Sequence, residues 1–364
     1  MRILHVSPTA FGDAGLFGGG ERYPLELALA LTRLDGVHCE LVTFGPTTRV
    51  DQIGDLRVRT LRARGHIHHH PAHPVALGLV DATRDVDVVH AHHLFSTPSR
   101  LSALAALARR RPFAVTDHGL AGGTWRGLLP RLVDQFLLVS QYSSEVLASP
   151  THRTTVVYGG ADPHRFHPDG ASGPRDGVLF VGRLTPHKGV DRLIEALPRH
   201  VALTVVGTGG HDRNMPERDY PEHLRRLAHG KDVRFLGAVA DGELPGLYRR
   251  AAVVAVPSVH RTCYGKNVAV SELLGLSTLE AMASGTPVVA SRAGGLVELV
   301  VDGITGYLVE PGDVGALRSR LELLLTDATT ASRFGEAGRA RVIERFTWEA
   351  CALRCASAYR AMLS

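Results

Sequence analysis

The chain has 364 residues, of which 44% are hydrophobic and 21% charged, and a formal net charge of +5. That length exceeds what one compact core usually serves and points to two domains of an ordinary soluble globular protein. No apolar run is long enough to span a bilayer and no signal-peptide pattern precedes the first strand, so a cytoplasmic protein is expected.

The positive balance comes from arginines spread along the chain and identifies no nucleic-acid partner; it leaves peripheral membrane contact and anionic substrates open. Just three of the 41 basic residues are lysines, Lys188, Lys231 and Lys266, so a lysine departs from the chain's habit. Cysteines at 39, 263, 351 and 355 lack metal-ligand spacing and read as buried thiols.

Short Val/Ile/Leu runs alternate with Ala/Leu/Arg-rich helical segments, the pattern of parallel α/β sheets. In the first half the strands are predicted at 3–7, 38–43, 86–90, 113–117, 135–140 and 155–158, with helices at 21–33, 100–110 and 143–148. In the second half strands are predicted at 178–182, 202–206, 233–236, 253–257, 287–290 and 306–309. The turn-rich stretch 166–175 reads as the linker, and a last helix over about 348–362 needs a surface to pack on. This gives a domain at 1–165, a second at 176–345, and a terminal helical segment at 346–364.

Phe17-Gly18-Gly19-Gly20 follows the first strand and opens a helix, where glycines let backbone N–H groups approach a ligand. Many α/β proteins turn on glycine for steric reasons alone, so the signal is weak by itself. His66, His68, His69, His70 and His73 cluster around Pro71 and read as a flexible loop in preference to a metal site, because no carboxylate or cysteine completes them. Asp85-Val86-Asp87 reads as the start of a strand. His118, in Asp117-His118-Gly119, falls at a strand's carboxyl end, suited to positioning or deprotonating a hydroxyl or to hydrogen-bonding a sugar; a structural histidine is the alternative.

Arg183 stands at the end of the 178–182 strand and Lys188 just before the next helix, a pair of cations suited to a diphosphate. The glycine turn Gly207-Thr208-Gly209-Gly210 lacks the acidic residue about twenty positions on that a dinucleotide fold uses, which argues against a nicotinamide enzyme. Then come Glu272 and Glu280, with seven residues between them. Ser277 and Glu280 form a capping-box pattern, so a helix is expected to start near Thr278, with the N–H groups of residues 275–278 open to an anion. A plain cap and a solvated loop charge explain the same two glutamates equally well.

Taken together, Gly19-Gly20, Gly182-Arg183 with Lys188-Gly189, the Glu272/Glu280 pair, the run Leu279-Glu280-Ala281-Met282-Ala283-Ser284-Gly285-Thr286-Pro287, Gly294-Gly295 with Glu298, and Asp302-Gly303-Ile304-Thr305-Gly306 resemble a family 4 glycosyltransferase of the GT-B fold. The resemblance implies two Rossmann-like doubly wound domains facing across a cleft, the terminal helix crossing back to the first. It implies a retaining transfer from a nucleotide-sugar donor, with UDP-sugars expected, and neither metal nor cofactor.

By the same resemblance, Glu280 would hold the ribose, Glu272 the donor sugar, Arg183 and Lys188 the diphosphate, and backbone groups of Leu274, Gly275, Leu276 and Ser277 the sugar and phosphate. Gly19, Gly20 and Gly207 join the donor-binding set, and His118 would stand beside the reacting sugar. The acceptor is open among small molecules, lipid-linked sugars, peptides and polysaccharides. A sugar-nucleotide epimerase of the same architecture is the alternative enzyme. A non-catalytic binding subunit would lack some of the four charges, and all four are present. One departure is the insertion 259–270 before Glu272, where Arg261, Tyr264 and Lys266 are placed to contact an acceptor or order on binding; a plain surface loop is the competing reading.

Overall fold

The computed structural model describes residues 1–9, 18–70, 72–118, 129–169, 175–209 and 219–364. Phe17, Pro71, Gly119, Gly210 and residues 170–174 of the expected linker lie outside the described residues. The first stretch runs β1 (Arg2–Val6), α1 (Gly19–Thr32), β2 (His38–Gly45), β3 (Arg49–Ile53), β4 (Leu56–Arg62), β5 (Gly65–His66), β6 (Pro74–Val75), α2 (Leu79–Ala82), β7 (Val88–His92), α3 (Thr97–Ala108), β8 (Phe113–Thr116), β9 (Gln135–Leu138), α4 (Gln141–Leu147) and β10 (Thr154–Val156). The second runs β11 (Asp176–Val181), α5 (Val190–Ala196), β12 (Leu203–Val206), α6 (Tyr220–Leu227), β13 (Val233–Gly237), α7 (Leu244–Arg250), β14 (Ala251–Val256), α8 (Leu276–Ala283), β15 (Val288–Ser291), α9 (Leu296–Leu299), β16 (Gly306–Val309), α10 (Val314–Thr326), α11 (Ala328–Arg345) and α12 (Trp348–Leu363).

Two compact units result, Met1–Gly159 with Trp348–Ser364, and Gly160–Thr347. The changeover falls before the 166–175 stretch because Phe166 is buried in the second unit, edge-on to Tyr248 with ring centroids 5.8 Å apart.

In the first unit the strand order is β10-β9-β8-β7-β1-β2-β4-β3, parallel except for the β3–β4 pairing. Alternation across the sheet sends Leu4, Val6, Val89, Ala91, Phe113 and Val115 into a core with Leu79 of α2 and Ala103 and Ala106 of α3. The opposite face turns His5, His90 and His92 toward α1 and α12. Helix α12 joins this unit through its apolar stripe, as expected for a segment that needs a surface: Cys351, Ala352, Cys355, Ala356 and Tyr359 are all fully buried. The hydroxyl of Tyr23 on α1 donates to the Tyr158 carbonyl (2.6 Å), and its ring meets Trp348 edge-on at 5.2 Å.

The second unit has the all-parallel order β13-β12-β11-β14-β15-β16. Apart from the edge strand β13, whose Arg234 and Leu236 are exposed, its strands are buried at most positions on both faces, so they read as near-continuous apolar runs. The switch in strand order lies between β11 and β14, and in such a sheet ligands bind outside the carboxyl ends at that point.

Several expectations shift in detail. The histidine-rich stretch is no loose loop: β5 and β6 pair antiparallel through Gly65 with Val75 and His66 with Pro74. Asp85-Val86-Asp87 leads into a strand, but β7 itself starts at Val88, and Asp87 ties that start to β1, its Oδ2 accepting the Arg2 N–H at 2.7 Å. Cys263 is half-buried, unlike the other three thiols.

Candidate functional site

In the second unit, the groups singled out by sequence gather at the carboxyl ends of β11 and β14. Arg183 follows β11 and is exposed. Lys188 closes a single 3-10 turn, Pro186–Lys188, and Gly189 after it is left-handed at φ 68°. A Cβ on Gly189 would run into the Pro257 carbonyl oxygen, so glycine is what lets this turn close onto the end of β14.

Lys188 Nζ donates to Glu272 Oε2 at 2.6 Å, and Ser258 Oγ donates to the same oxygen at 3.4 Å. The two charged side chains are 17% and 11% exposed, an ion pair mostly out of water. Beside it, burial and then the charges of Lys188, Arg183 and Lys266 push the His187 imidazole down to about 3. His187 is therefore neutral, chiefly because it is buried, with the three neighbouring cations adding to the effect.

The Glu272 loop is fixed from behind. The Gly295 N–H donates to the Glu272 carbonyl at 3.2 Å, and a Cβ on Gly295 would strike the Leu273 carbonyl oxygen. The Gly294-Gly295 pair thus has a packing reason, the close approach of one backbone to another. Gly207, left-handed at φ 134°, packs on the Gly182 carbonyl and keeps the ends of β11 and β12 together. Asp302-Gly303-Ile304-Thr305-Gly306 is a turn into β16, in which the Leu308 N–H donates to Asp302 Oδ1 at 3.0 Å.

The expected capping box does not form. Helix α8 begins at Leu276, and its N-cap is Gly275 at φ 104°, ψ 67°, with no side-chain cap bond. Ser277 therefore sits inside the first turn, and the Thr278 N–H is taken by the Gly275 carbonyl at 3.0 Å. Among the described residues the open N–H groups are those of Gly275, Leu276 and Ser277, one fewer than the 275–278 stretch expected from sequence, because that of Thr278 is taken. Glu280 is released from the Ser277 backbone; it is buried, and its Oε2 accepts the Tyr248 hydroxyl at 2.8 Å. Tyr248 on α7 was not visible as a site residue: 32 residues separate it from Glu280, and a lone tyrosine carries no motif.

The 259–270 insertion folds back on itself. Arg261 and Asn267 form an antiparallel bridge, the Val268 N–H donates to the His260 carbonyl at 2.7 Å, and the Thr262 N–H to that of Lys266 at 2.9 Å. Tyr264 is engaged with Asp219 at 3.0 Å, whereas Lys266 lends its charge to the surroundings of His187.

In the first unit, Gly19 and Gly20 are the first two residues of α1, and His118 follows β8. A Cβ on Gly20 would lie 3.3 Å from His118 Cβ and 3.4 Å from His93 Cε1, so the glycines and His118 are neighbours. The Tyr23 ring lies 4.6 Å from that of His118, and His92 Nδ1 is 3.1 Å from His118 Nε2. Burial first, then the neighbouring His93, holds His118 well below the usual histidine range.

Among the described residues, His5, His90 and His92 make a group of three metal-type side chains with ligand atoms within 4.8 Å of one another, and no helix is long and apolar enough to cross a membrane.

Residues 167–341 match the family model described as Glycosyl transferases group 1, and residues 17–165 match Glycosyltransferase Family 4. A GDP-mannose-dependent alpha-(1-6)-phosphatidylinositol monomannoside mannosyltransferase of Mycolicibacterium smegmatis is 33% identical over 326 residues, 78% of this chain and 82% of that protein. A D-inositol 3-phosphate glycosyltransferase of Salinispora arenicola is 30% identical over 414 residues, 95% of this chain and 88% of its own. Among solved structures, Anabaena HepE in complex with UDP and glucose superposes with a TM-score of 0.77 at 22% identity, over 99% of this chain and 100% of that one.

Proposed function

The chain belongs to the family 4 glycosyltransferases, and on that premise we propose that it is a cytoplasmic enzyme that transfers a sugar with retention of anomeric configuration, binding its donor through Arg183, Lys188, Glu272 and Glu280. The observation that carries the reading is the Lys188–Glu272 pair: at 2.6 Å it sets a cation and a carboxylate together at the ligand-binding end of a doubly wound sheet.

In this reading Lys188 turns from Glu272 to the donor's diphosphate, joined by Arg183 and by the N–H groups of Leu276 and Ser277, while Glu272 is left to hold sugar hydroxyls. Breaking the glycosyl–phosphate bond builds negative charge on the leaving diphosphate, so cations and amides fixed there favour the transition state over the ground state. Glu280, oriented by Tyr248, accepts from the ribose hydroxyls, and Leu274, Gly275 and Gly207 shape the backbone wall. In the first unit Gly19, Gly20 and His118 are the residues assigned to ligand contact.

Of the two relatives above, one is named for GDP-mannose and a phosphatidylinositol mannoside and the other for D-inositol 3-phosphate. GDP-mannose therefore stands beside the UDP-sugar expected from sequence, and inositol phosphates come first among acceptors. The test is incubation with GDP-mannose or UDP-glucose and an acceptor panel, with and without EDTA, following nucleoside diphosphate release and reading the product's anomeric configuration by NMR. An α-linked product from these α-linked donors, formed equally in EDTA, supports the reading; a β-linked product contradicts retention. Interconversion of donor epimers without nucleotide release would point to the isomerase instead.

A further inference from the structure

Behind His118 lies a line of imidazoles that the reading above does not use. His5 Nδ1 is 3.2 Å from His92 Nε2, and His92 Nδ1 is 3.1 Å from His118 Nε2. His5 and His92 are fully buried, and His5 Nε2 has no hydrogen-bond partner among the described residues. Sheet register creates the line: His5 on β1 pairs with His90 on β7, and His92 of β7 with Thr116 of β8, two residues before His118.

His90 belongs to a separate circuit. The Thr116 hydroxyl donates to the Leu137 carbonyl at 2.7 Å, so toward His90 Nε2, 2.9 Å away, it accepts. His90 then carries its proton on Nε2, and its Nδ1 accepts the Tyr359 hydroxyl at 2.7 Å. With both nitrogens engaged, His90 has no lone pair to give a metal, and no carboxylate belongs to the group.

A neutral imidazole has one donor and one acceptor nitrogen, so the His5–His92–His118 line can point only one of two ways without setting two lone pairs or two protons face to face. If it pointed toward His5, the end of the line would be an N–H on His5 Nε2, buried without an acceptor. If it points toward His118, the unpaired atom at His5 is a bare lone pair. Buried orphan donors are rarer than under-used acceptors, which selects the second direction.

We infer that His5 and His92 are positioning residues that hold His118 neutral with its proton on Nδ1, so that His118 presents a hydrogen-bond donor to an oxygen of its ligand and does not act as a general base. The inference rests on the assignment of His118 to ligand contact. Burial keeps the line uncharged, lowering His5 to about 3 and His92 well below its usual value. The other titratable groups packed around it are Tyr23 from α1, Tyr359 from α12, His93, and the His90 circuit.

The test has two independent readouts. Two-bond proton–nitrogen spectra of the full chain labelled with ¹⁵N-histidine report tautomers directly; protonated Nδ1 with bare Nε2 at His118 and His92 is expected. An Nε2–H at His118, an average of both forms, or zinc retained stoichiometrically by the line overturns the inference. In kinetics with GDP-mannose and UDP-glucose, His92→Phe is expected to lower kcat by about 10- to 100-fold with donor KM changed less than about threefold. His92→Asn, whose amide can donate to His118 Nε2 from the place of Nδ1, should keep kcat within about fivefold of wild type. A merely structural role predicts the reverse, Phe tolerated in the buried position and Asn not, and that result, or equal losses in both variants, overturns the positioning role. Undiminished turnover by His118→Ala would instead remove His118 from the reaction, while the wild-type spectrum still decides the tautomer.

Discussion

Replacing Lys188 by Met removes one member of the 2.6 Å pair and leaves Glu272, 11% exposed, with Ser258 Oγ at 3.4 Å as its remaining hydrogen-bond donor named above. Two unit charges about 4 Å apart attract by roughly 4 kcal/mol at an effective dielectric constant near 20, and much of that is offset by their desolvation. Because both side chains keep some water, the net loss lies between an exposed pair and a fully buried one, about 2 kcal/mol. In a unit of this size that lowers Tm by roughly 4–8 °C. Turnover should fall further, by about 10²–10³, the usual effect of deleting a group that stabilises transition-state charge. The double variant Lys188→Met/Glu272→Gln separates the two losses: it restores most of the Tm, since no lone buried charge remains, and none of the activity. Differential scanning calorimetry with donor turnover on the single and double variants is the assay. If Lys188→Met keeps both Tm within ~1 °C and wild-type kcat, the pair is an idle surface contact and the charge argument is wrong.

Tyr248→Phe removes a hydrogen bond to a carboxylate and should weaken nucleoside diphosphate binding by about 10-fold or more, from roughly 1.5–3 kcal/mol, measured by titration calorimetry; binding equal to wild type would remove Tyr248 from any role in orienting Glu280. Gly275→Ala forces a Cβ into a left-handed position at φ 104°, 2.6 Å from Leu296 Cδ2. It should cost about 1–3 kcal/mol of stability and disturb the start of α8, visible as a lower Tm and weaker nucleotide binding. His5, His90 and His92 are buried neutral, each with a lowered folded-state pKa, about 3 for His5. The unfolded chain then binds more protons below pH ~6.5, so stability is fully present above that pH and is lost as pH falls, by up to ~1.4 kcal/mol per unit for each histidine. Urea midpoints from pH 7.5 to 5 should drop steeply; a flat profile would mean that these rings are charged or exposed.

Much of the architecture could be read from sequence because the inner strands of the second unit, mostly buried on both faces, are apolar runs such as Val253 to Val256. The β3–β4 hairpin was not foreseen. Its residues alternate with charge, as in Arg49, Asp51, Arg57 and Arg59, and at a sheet edge that pattern resembles a solvated loop. Arg183, Lys188, Glu272 and Glu280 drew attention in the sequence through their places at strand ends and before a helix, and took their proposed roles from the family resemblance, whereas the capping box failed because a left-handed Gly275 starts α8 before Ser277 can cap it. Tyr248 and the His5–His92–His118 line were hidden for one reason, that their partners are distant in sequence: 87 residues separate His5 from His92 and only strand register joins them.

The central claim is that the second unit binds a nucleoside diphosphate sugar with Glu280 on the ribose. A thermal-shift panel of GDP, UDP, GDP-mannose, UDP-glucose and the 2′-deoxy nucleotides, run on wild type and Glu280→Ala, tests it most directly. At about 100 times Kd a ligand should stabilise the wild type by ~2.7 kcal/mol, and the variant by clearly less except with the deoxy nucleotides, where the two proteins should converge. Equal shifts in both proteins with the ribonucleotides, or no shift in the wild type with any of them, would contradict the account.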